Sequence, residues 1–360
     1  MLTLAGEQAR LLRARAQGIA DLRREPSAEG VVARCFAVQA QRLPAAALGL
    51  RARAGGLTAD GVRRALEVDR ALVRGWYMRG TLHLVAARDA RWLQELYGPR
   101  LLRLSRRRYR ELGLGPDHLR RGEQAITRAL AADGPLTRAQ LAARLAGAGL
   151  NATGQVPFHL IRRCALSGSV CWGPVREDGE ATFVLAERWL PAAGNEAARP
   201  AGAGAVRELA RRYLAAHAPA SIRDFATWSG LEIPAARNAW VELAEAGTIT
   251  VCRVDGEDCA LLTGDVPELH RQGDVRLLPA YDDYLLSYTS RRLSVPSGRE
   301  RTVWPGGGQI RACIVADGLV CGVWRRDRRR GLSIELFDDA PGGMDAALEA
   351  ERVDLLRFGE

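Results

Sequence analysis

EQAITRALAADGPLTRAQLAARLAG occupies residues 123–147. It reads as helix, short turn, helix. Thr137 is placed to cap the second helix, and apolar Leu141 and Leu145 stand four apart on its inner face. IRRCALSGSVCWG and ATFVLAERWL follow, a further helix and the two strands of a hairpin. The same order recurs in AVRELARRYLAAHAPASIRDFATWSG, 205–230, with Ser221 as cap and Phe225 and Trp228 at inner positions. ARNAWVELAEAG and TITVCRVDGEDCALL complete that copy, with Asp255-Gly256 as hairpin turn. An earlier copy includes LTADGVRRALE, 57–67, and the strand-like WYMRGTLHLV, 76–85. Helix-turn-helix followed by a hairpin is the winged-helix pattern, and repetition strengthens it.

Two Gly/Pro-rich stretches, LGLGP (112–116) and PAAGNEAARPAGAGA (191–205), read as linkers. Beyond about residue 274 the texture changes. VRLLPAYDDYLLSYTSRR, GQIRACIVADGLVCGVWRR and GLSIELF read as strands, with Asp317-Gly318 as a second hairpin turn. The expected fold class is α+β: three tandem winged-helix units and a small β-rich C-terminal domain. The expected boundaries are 1–111, 117–192, 203–265 and 274–360.

The 360 residues carry a formal net charge of +10. No lysine occurs, so all 52 basic side chains are arginine, a planar fork that stays charged and suits phosphate. Charge and repeated winged helices together point to DNA as partner, although winged helices also bind proteins. The seven cysteines are odd in number, show no CxxC spacing and sit in apolar runs; they read as reduced, buried thiols of a cytoplasmic protein. No apolar run has the length of a signal-peptide core or of a membrane span, so a membrane partner is not expected.

Gln39 and Gln41 lie in VVARCFAVQAQRLPAA. Residues two apart point to opposite sides of a helix, so both meet one site only on extended or turning backbone. Pro44 biases Leu43 away from helix and supports a break there. By spacing alone two glutamines fit a surface helix end equally well. In the first hairpin, period two puts Arg79, Thr81 and His83 on one face and Leu82 and Leu84 on the other: a polar row that either meets DNA or is simply solvated. LRLSRRRYREL (102–112), with Arg106 and Arg107, and WRRDRRRG (324–331), with Arg325 and Arg326, either clamp phosphates or form solvated faces. In Tyr281-Asp282-Asp283-Tyr284 the carboxylates suit a general base or a metal ligand, or pairing with the many arginines, and the tyrosines suit core. The five histidines lack ligand spacing, GxxxxGK[ST] is absent, and Gly306-Gly307-Gly308 has no phosphate-binding context; neither metal nor cofactor is expected.

Taken together and in order, FAVQAQ, RGTLHLVAARD, LLPAYDDYLLSYTSR and GQIRACIVADGLVCGVWRR resemble the AlkZ-like winged-helix DNA glycosylases over nearly the whole chain. The resemblance implies three winged helices with a β-rich C-terminus and a catalytic motif of Gln, an apolar residue, then Gln or Asp. Gln39-Ala40-Gln41 matches the Gln/Gln form, with a smaller middle residue than usual. That form is associated with self-resistance enzymes of antibiotic producers that remove bulky N7-alkylguanine adducts and unhook interstrand cross-links; the Gln/Asp form belongs to broader repair relatives. The implied enzyme is a monomeric, monofunctional glycosylase acting on double-stranded DNA, since a chain without lysine lacks the usual Schiff-base amine. The alternative is a non-catalytic winged-helix transcriptional regulator.

Overall fold

The computed structural model describes residues 2–20, 25–191, 199–264, 266–327 and 331–359. The fold is mixed α+β and divides into two compact units. One combines Met1–Val62 with Val206–Glu360, and the other is Arg63–Ala205. The first unit therefore brings both ends of the chain together, which no local pattern announces.

In the unit 63–205, the helix Pro116–Asp133 is followed by the short strand Leu136–Thr137 and the helices Arg138–Gly147 and Val156–Leu166. The strands Val170–Val175 and Ala181–Leu185 then pair antiparallel, and Leu136–Thr137 joins the outer side of Ala181–Leu185. Thr137 caps its helix, in a reciprocal box with Gln140. Leu141 and Leu145 are fully buried. The long helix Ala87–Glu111 packs on Val156–Leu166. At the contact Gly98 leaves room for the Leu166 carbonyl, which also accepts from Gln94 Nε2 at 2.6 Å.

The segment 76–85 is not one strand. The chain reverses within it: Leu72–Trp76 pairs with Leu82–Ala86 across a turn at Met78–Gly80. Arg79 (φ 56°) and Gly80 (φ 72°) both adopt left-handed backbone there, closing a tight hairpin.

In the unit built from both termini, Ser221 caps the helix Ile222–Ser229 in a box with Asp224. Phe225 and Trp228 are fully buried against Tyr213 of the helix Gly202–His217. After the helix Ile233–Glu245, the strands Ile249–Val254 and Glu257–Leu262 form a hairpin, turning at Asp255 (φ 48°) and Gly256 (φ 85°). Leu2–Leu4 adds to Ile249–Val254 in parallel, a pairing the sequence pattern did not suggest.

The C-terminal region is a four-stranded antiparallel meander of Val275–Leu278, Cys313–Ala316, Leu319–Asp327 and Gly331–Leu336. Asp317 (φ 45°) and Gly318 (φ 79°) make its expected hairpin turn. Two expectations need correction. Only the first four residues of VRLLPAYDDYLLSYTSRR are strand, and Asp283–Leu286 is a short helix. The domain also ends in a helix, Asp345–Phe358, packed on the strand Val275–Leu278. Residues 328–330 of the second arginine run and 192–198 of the second expected linker lie outside the described residues.

Candidate active site

The helix Ala28–Cys35 stops at Phe36, whose φ of 68° is costly for a bulky residue and throws the chain out of helical course. Phe36 is held in that conformation by burial, with its ring 6.3 Å from that of Trp228. The strand Val38–Gln39 follows, then a bend, then the helix Leu43–Arg51 with Pro44 in its first turn. On this extended stretch the side chains alternate. Val38 and Ala40 are buried, Gln39 is half-buried and Gln41 is exposed. Both glutamines line one cleft of about 250 Å³, together with Arg42, Ala45, Ala280 and Tyr281. Full burial of position 40 suits the small alanine there.

A larger cavity of about 660 Å³ shares Arg42, Ala45 and Ala280 with the cleft and also carries Arg311, Arg325 and Arg326 over a floor that includes Pro279 and Trp324. Among the described residues, Glu335 is the one acidic residue in its lining. Arg325 and Arg326, singled out in the sequence, are exposed at the end of the strand Leu319–Asp327. Arg42 and Arg311 escaped sequence reading, because each lies outside the two arginine runs.

Buried ion pairs fix the surroundings. Arg51, fully buried at the end of the helix after the glutamines, meets Asp354 at 2.9 Å and Glu351 at 3.1 Å on the C-terminal helix. Arg53 grips Asp282 with both Nη atoms, at 2.8 and 2.7 Å, and donates to the carbonyls of Gln17 and Gly49. Burial opposes the Arg53 charge, but the groups around it, the Asp282 carboxylate first and then Cys35 and Asp283, together outweigh it and raise the guanidinium pKa. The acidic-aromatic tetrad thus divides its labour. Asp282 pairs with Arg53, and Tyr284 is core, donating to the Gly318 carbonyl at 2.7 Å. Asp283 accepts the Gln39 main-chain N–H at 2.9 Å. Tyr281 faces the cleft at a φ of 64° and donates to Gln309 Oε1 at 2.8 Å.

The polar row expected on the first hairpin does not form. Arg79 sits in the turn rather than a strand, and the Thr81 hydroxyl donates back to the Met78 carbonyl at 3.1 Å. His83 is fully buried, and Leu82 and Leu84 on either side of it are buried too, so outward-inward alternation is lost. Its Nδ1 donates to the Thr81 carbonyl at 3.1 Å, and burial pulls its pKa down to about 3. The ring is therefore neutral and out of reach of solvent. Arg106 and Arg107 are exposed on the helix Ala87–Glu111, and Arg107 pairs with Glu111 at 2.9 Å.

All seven cysteines are buried and unbridged, and burial pushes each thiol up to about 11 or 12. None is a thiolate nucleophile at neutral pH. Among the described residues, no group of three or more His, Cys, Asp or Glu could hold a metal ion, and no helix is long and apolar enough to cross a membrane.

Two amide side chains thus line a cleft beside an arginine-lined cavity. The chain belongs to the AlkZ-like DNA glycosylases, whose family model matches residues 32–358. It is 29% identical to the interstrand DNA cross-link repair glycosylase of Streptomyces sahachiroi over 315 residues, 84% of this chain and 83% of the relative. The solved structure of the S. sahachiroi DNA glycosylase AlkZ is similar to it with a TM-score of 0.82 and 25% identity, covering 99% of this chain and 97% of that one.

Proposed function

We propose that this DNA glycosylase excises N7-alkylated guanines, including bulky adducts and interstrand cross-links, with Gln39 and Gln41 as its catalytic pair. The observation that carries the reading is that both amides line one cleft, which opens beside a cavity bearing four arginines.

An N7-alkylguanine is already cationic, so its glycosidic bond is weak and the base departs without receiving a proton. The enzyme's task is to place a water and to stabilise the oxocarbenium-like sugar. Two amide oxygens can accept from that water and face the cation. Neutral amides are feeble bases, so undamaged purines are spared, as a self-resistance enzyme requires. The cavity of about 660 Å³ beside the cleft favours a bulky adduct over a tight base-flipping pocket.

The supporting architecture, on this reading, is three winged helices in the chain segments 1–111, 117–192 and 203–265, followed by the domain 274–360. The helix-strand-helix-helix-hairpin order of residues 116–185 supports it. Arg42, Arg311, Arg325 and Arg326 meet DNA phosphates, with Arg79, Thr81, Arg106 and Arg107 as further contacts. His83, being buried, is left out of that set. The enzyme acts as a monomer, in the cytoplasm, on double-stranded DNA.

The test is incubation with duplex containing N7-methylguanine, scored for abasic sites. Gln39→Ala and Gln41→Ala should each lower the single-turnover rate about a hundredfold or more, as loss of a transition-state donor or acceptor does. Affinity for undamaged duplex should stay unchanged. Parallel loss of binding and rate would leave the glutamines a binding role only.

A further inference from the structure

Between the helix ending at Cys35 and the helix beginning at Leu43, the chain must stay extended for positions 39 and 41 to share a face. A side chain 244 residues away meets this segment: the Asp283 carboxylate, 3% exposed, accepts the Gln39 N–H at 2.9 Å. Asp283 is in turn immobilised by its neighbours. Asp282 is locked into the guanidinium fork of Arg53, and the Asp282 carboxylate also accepts the Tyr284 N–H at 3.0 Å. On the other side Tyr281 is held in left-handed backbone and tethered to Gln309.

We propose that Asp283 is a positioning residue for base excision: its carboxylate clamps the Gln39 main chain so that the amides of Gln39 and Gln41 open into the same cleft. The inference rests on the catalytic reading of those glutamines. A hydrogen bond to a carboxylate is stronger than one between neutral groups, and this one fixes the backbone atom from which the Gln39 side chain departs. A rotation about that backbone displaces the amide by an ångström or more, and misplacement on that scale costs about a hundredfold in rate.

The experiment compares Asp283→Ser, Asp283→Ala and Asp283→Asn in the full chain with N7-methylguanine duplex. Ser is too short to reach the Gln39 N–H and Ala has no acceptor, so both should lose about tenfold to a hundredfold in single-turnover rate. Asn keeps an acceptor oxygen at the same place and should restore most of that loss. Affinity for undamaged duplex should change less than about twofold in all three, which a general structural defect would not allow. Amide hydrogen exchange at Gln39 reads the clamp directly and should quicken in Asp283→Ser. If Asp283→Ala does not fold, Asp283→Ser and the exchange measurement decide. A wild-type rate in Asp283→Ser, unchanged exchange at Gln39, or failure of Asn to rescue a folded enzyme overturns the proposal. Gln39→Ala run alongside separates the two readings: full activity there removes the catalytic pair itself. Loss of activity in Gln39→Ala beside a wild-type Asp283→Ser removes only the clamp.

Discussion

Asp282→Ala should destabilise the unit built from both chain termini while leaving the other unit untouched. The carboxylate is 4% exposed and its partner Arg53 is 2% exposed, so little water can replace either. Removing one side of a buried ion pair costs about 3–5 kcal/mol, because the surviving charge stays buried. Loss of the Tyr284 N–H acceptor adds about 1 kcal/mol. Arg53 keeps its bonds to the carbonyls of Gln17 and Gly49, which soften the loss. A net cost of about 3–4 kcal/mol follows, and at about 2–4 °C per kcal/mol it lowers the melting midpoint by about 10 °C. Urea unfolding followed by circular dichroism measures it. The double substitution Arg53→Met with Asp282→Leu removes both charges and should be less destabilising than Asp282→Ala alone. A cost below about 1 kcal/mol for Asp282→Ala, or a double variant worse than the single, would refute the reasoning.

Gly98→Ala drives a Cβ into the Leu166 carbonyl oxygen, so two helices must part; a cost of about 1–3 kcal/mol is expected by chemical denaturation. His83 and His217 are both pulled by burial to a pKa of about 3, from an ordinary 6.5. Their contribution is complete above pH 6.5 and is lost as pH falls toward 3, because the unfolded chain takes up protons that the folded chain refuses. At about 1.4 kcal/mol per pH unit, each should cost its unit about 2 kcal/mol between pH 7 and 5. Urea titrations of His83→Gln and His217→Gln at the two pH values should show a flatter dependence. The chain contains no lysine, so excision should leave an intact abasic strand that breaks only after hot alkali or an added endonuclease. A borohydride-trapped protein-DNA adduct would contradict this and direct attention to the N-terminal amine.

What was legible in the sequence was local. Thr137 and Ser221 cap their helices because a hydroxyl three residues before a free N–H suffices, whatever the rest of the chain does. Asp255-Gly256 and Asp317-Gly318 turn hairpins because that dipeptide tolerates two successive left-handed residues. The period-two reading of Arg79, Thr81 and His83 failed for a local reason too. A tight reversal at Arg79-Gly80 interrupts the strand, and the strand that follows is buried throughout, so alternation marks no solvated face. The parallel pairing of Leu2–Leu4 was invisible, because its partner lies about 250 residues away and three residues carry no period.

The cleft itself draws on segments near residues 39–42 and 280–281, and on 311 and 325–326 for the adjoining cavity. A spacing argument could say only that Gln39 and Gln41 must be on extended backbone to act together. It could not say what holds that backbone extended. The structure supplies constraints that no composition predicts, among them left-handed Phe36 at the entry, inward burial of Val38 and Ala40, and the Asp283 carboxylate on the intervening N–H. The same holds for charge. Arg51 and Arg53 belong to the net positive excess that suggested a polyanion, yet both are buried and neutralised by Glu351, Asp354 and Asp282. They organise the site rather than contact a phosphate. Arg42 and Arg311, set in no run of like charge, face the open cavity. Net charge therefore points to a class of partner, while the division between arginines that are buried in ion pairs and arginines that line open space is made by packing alone.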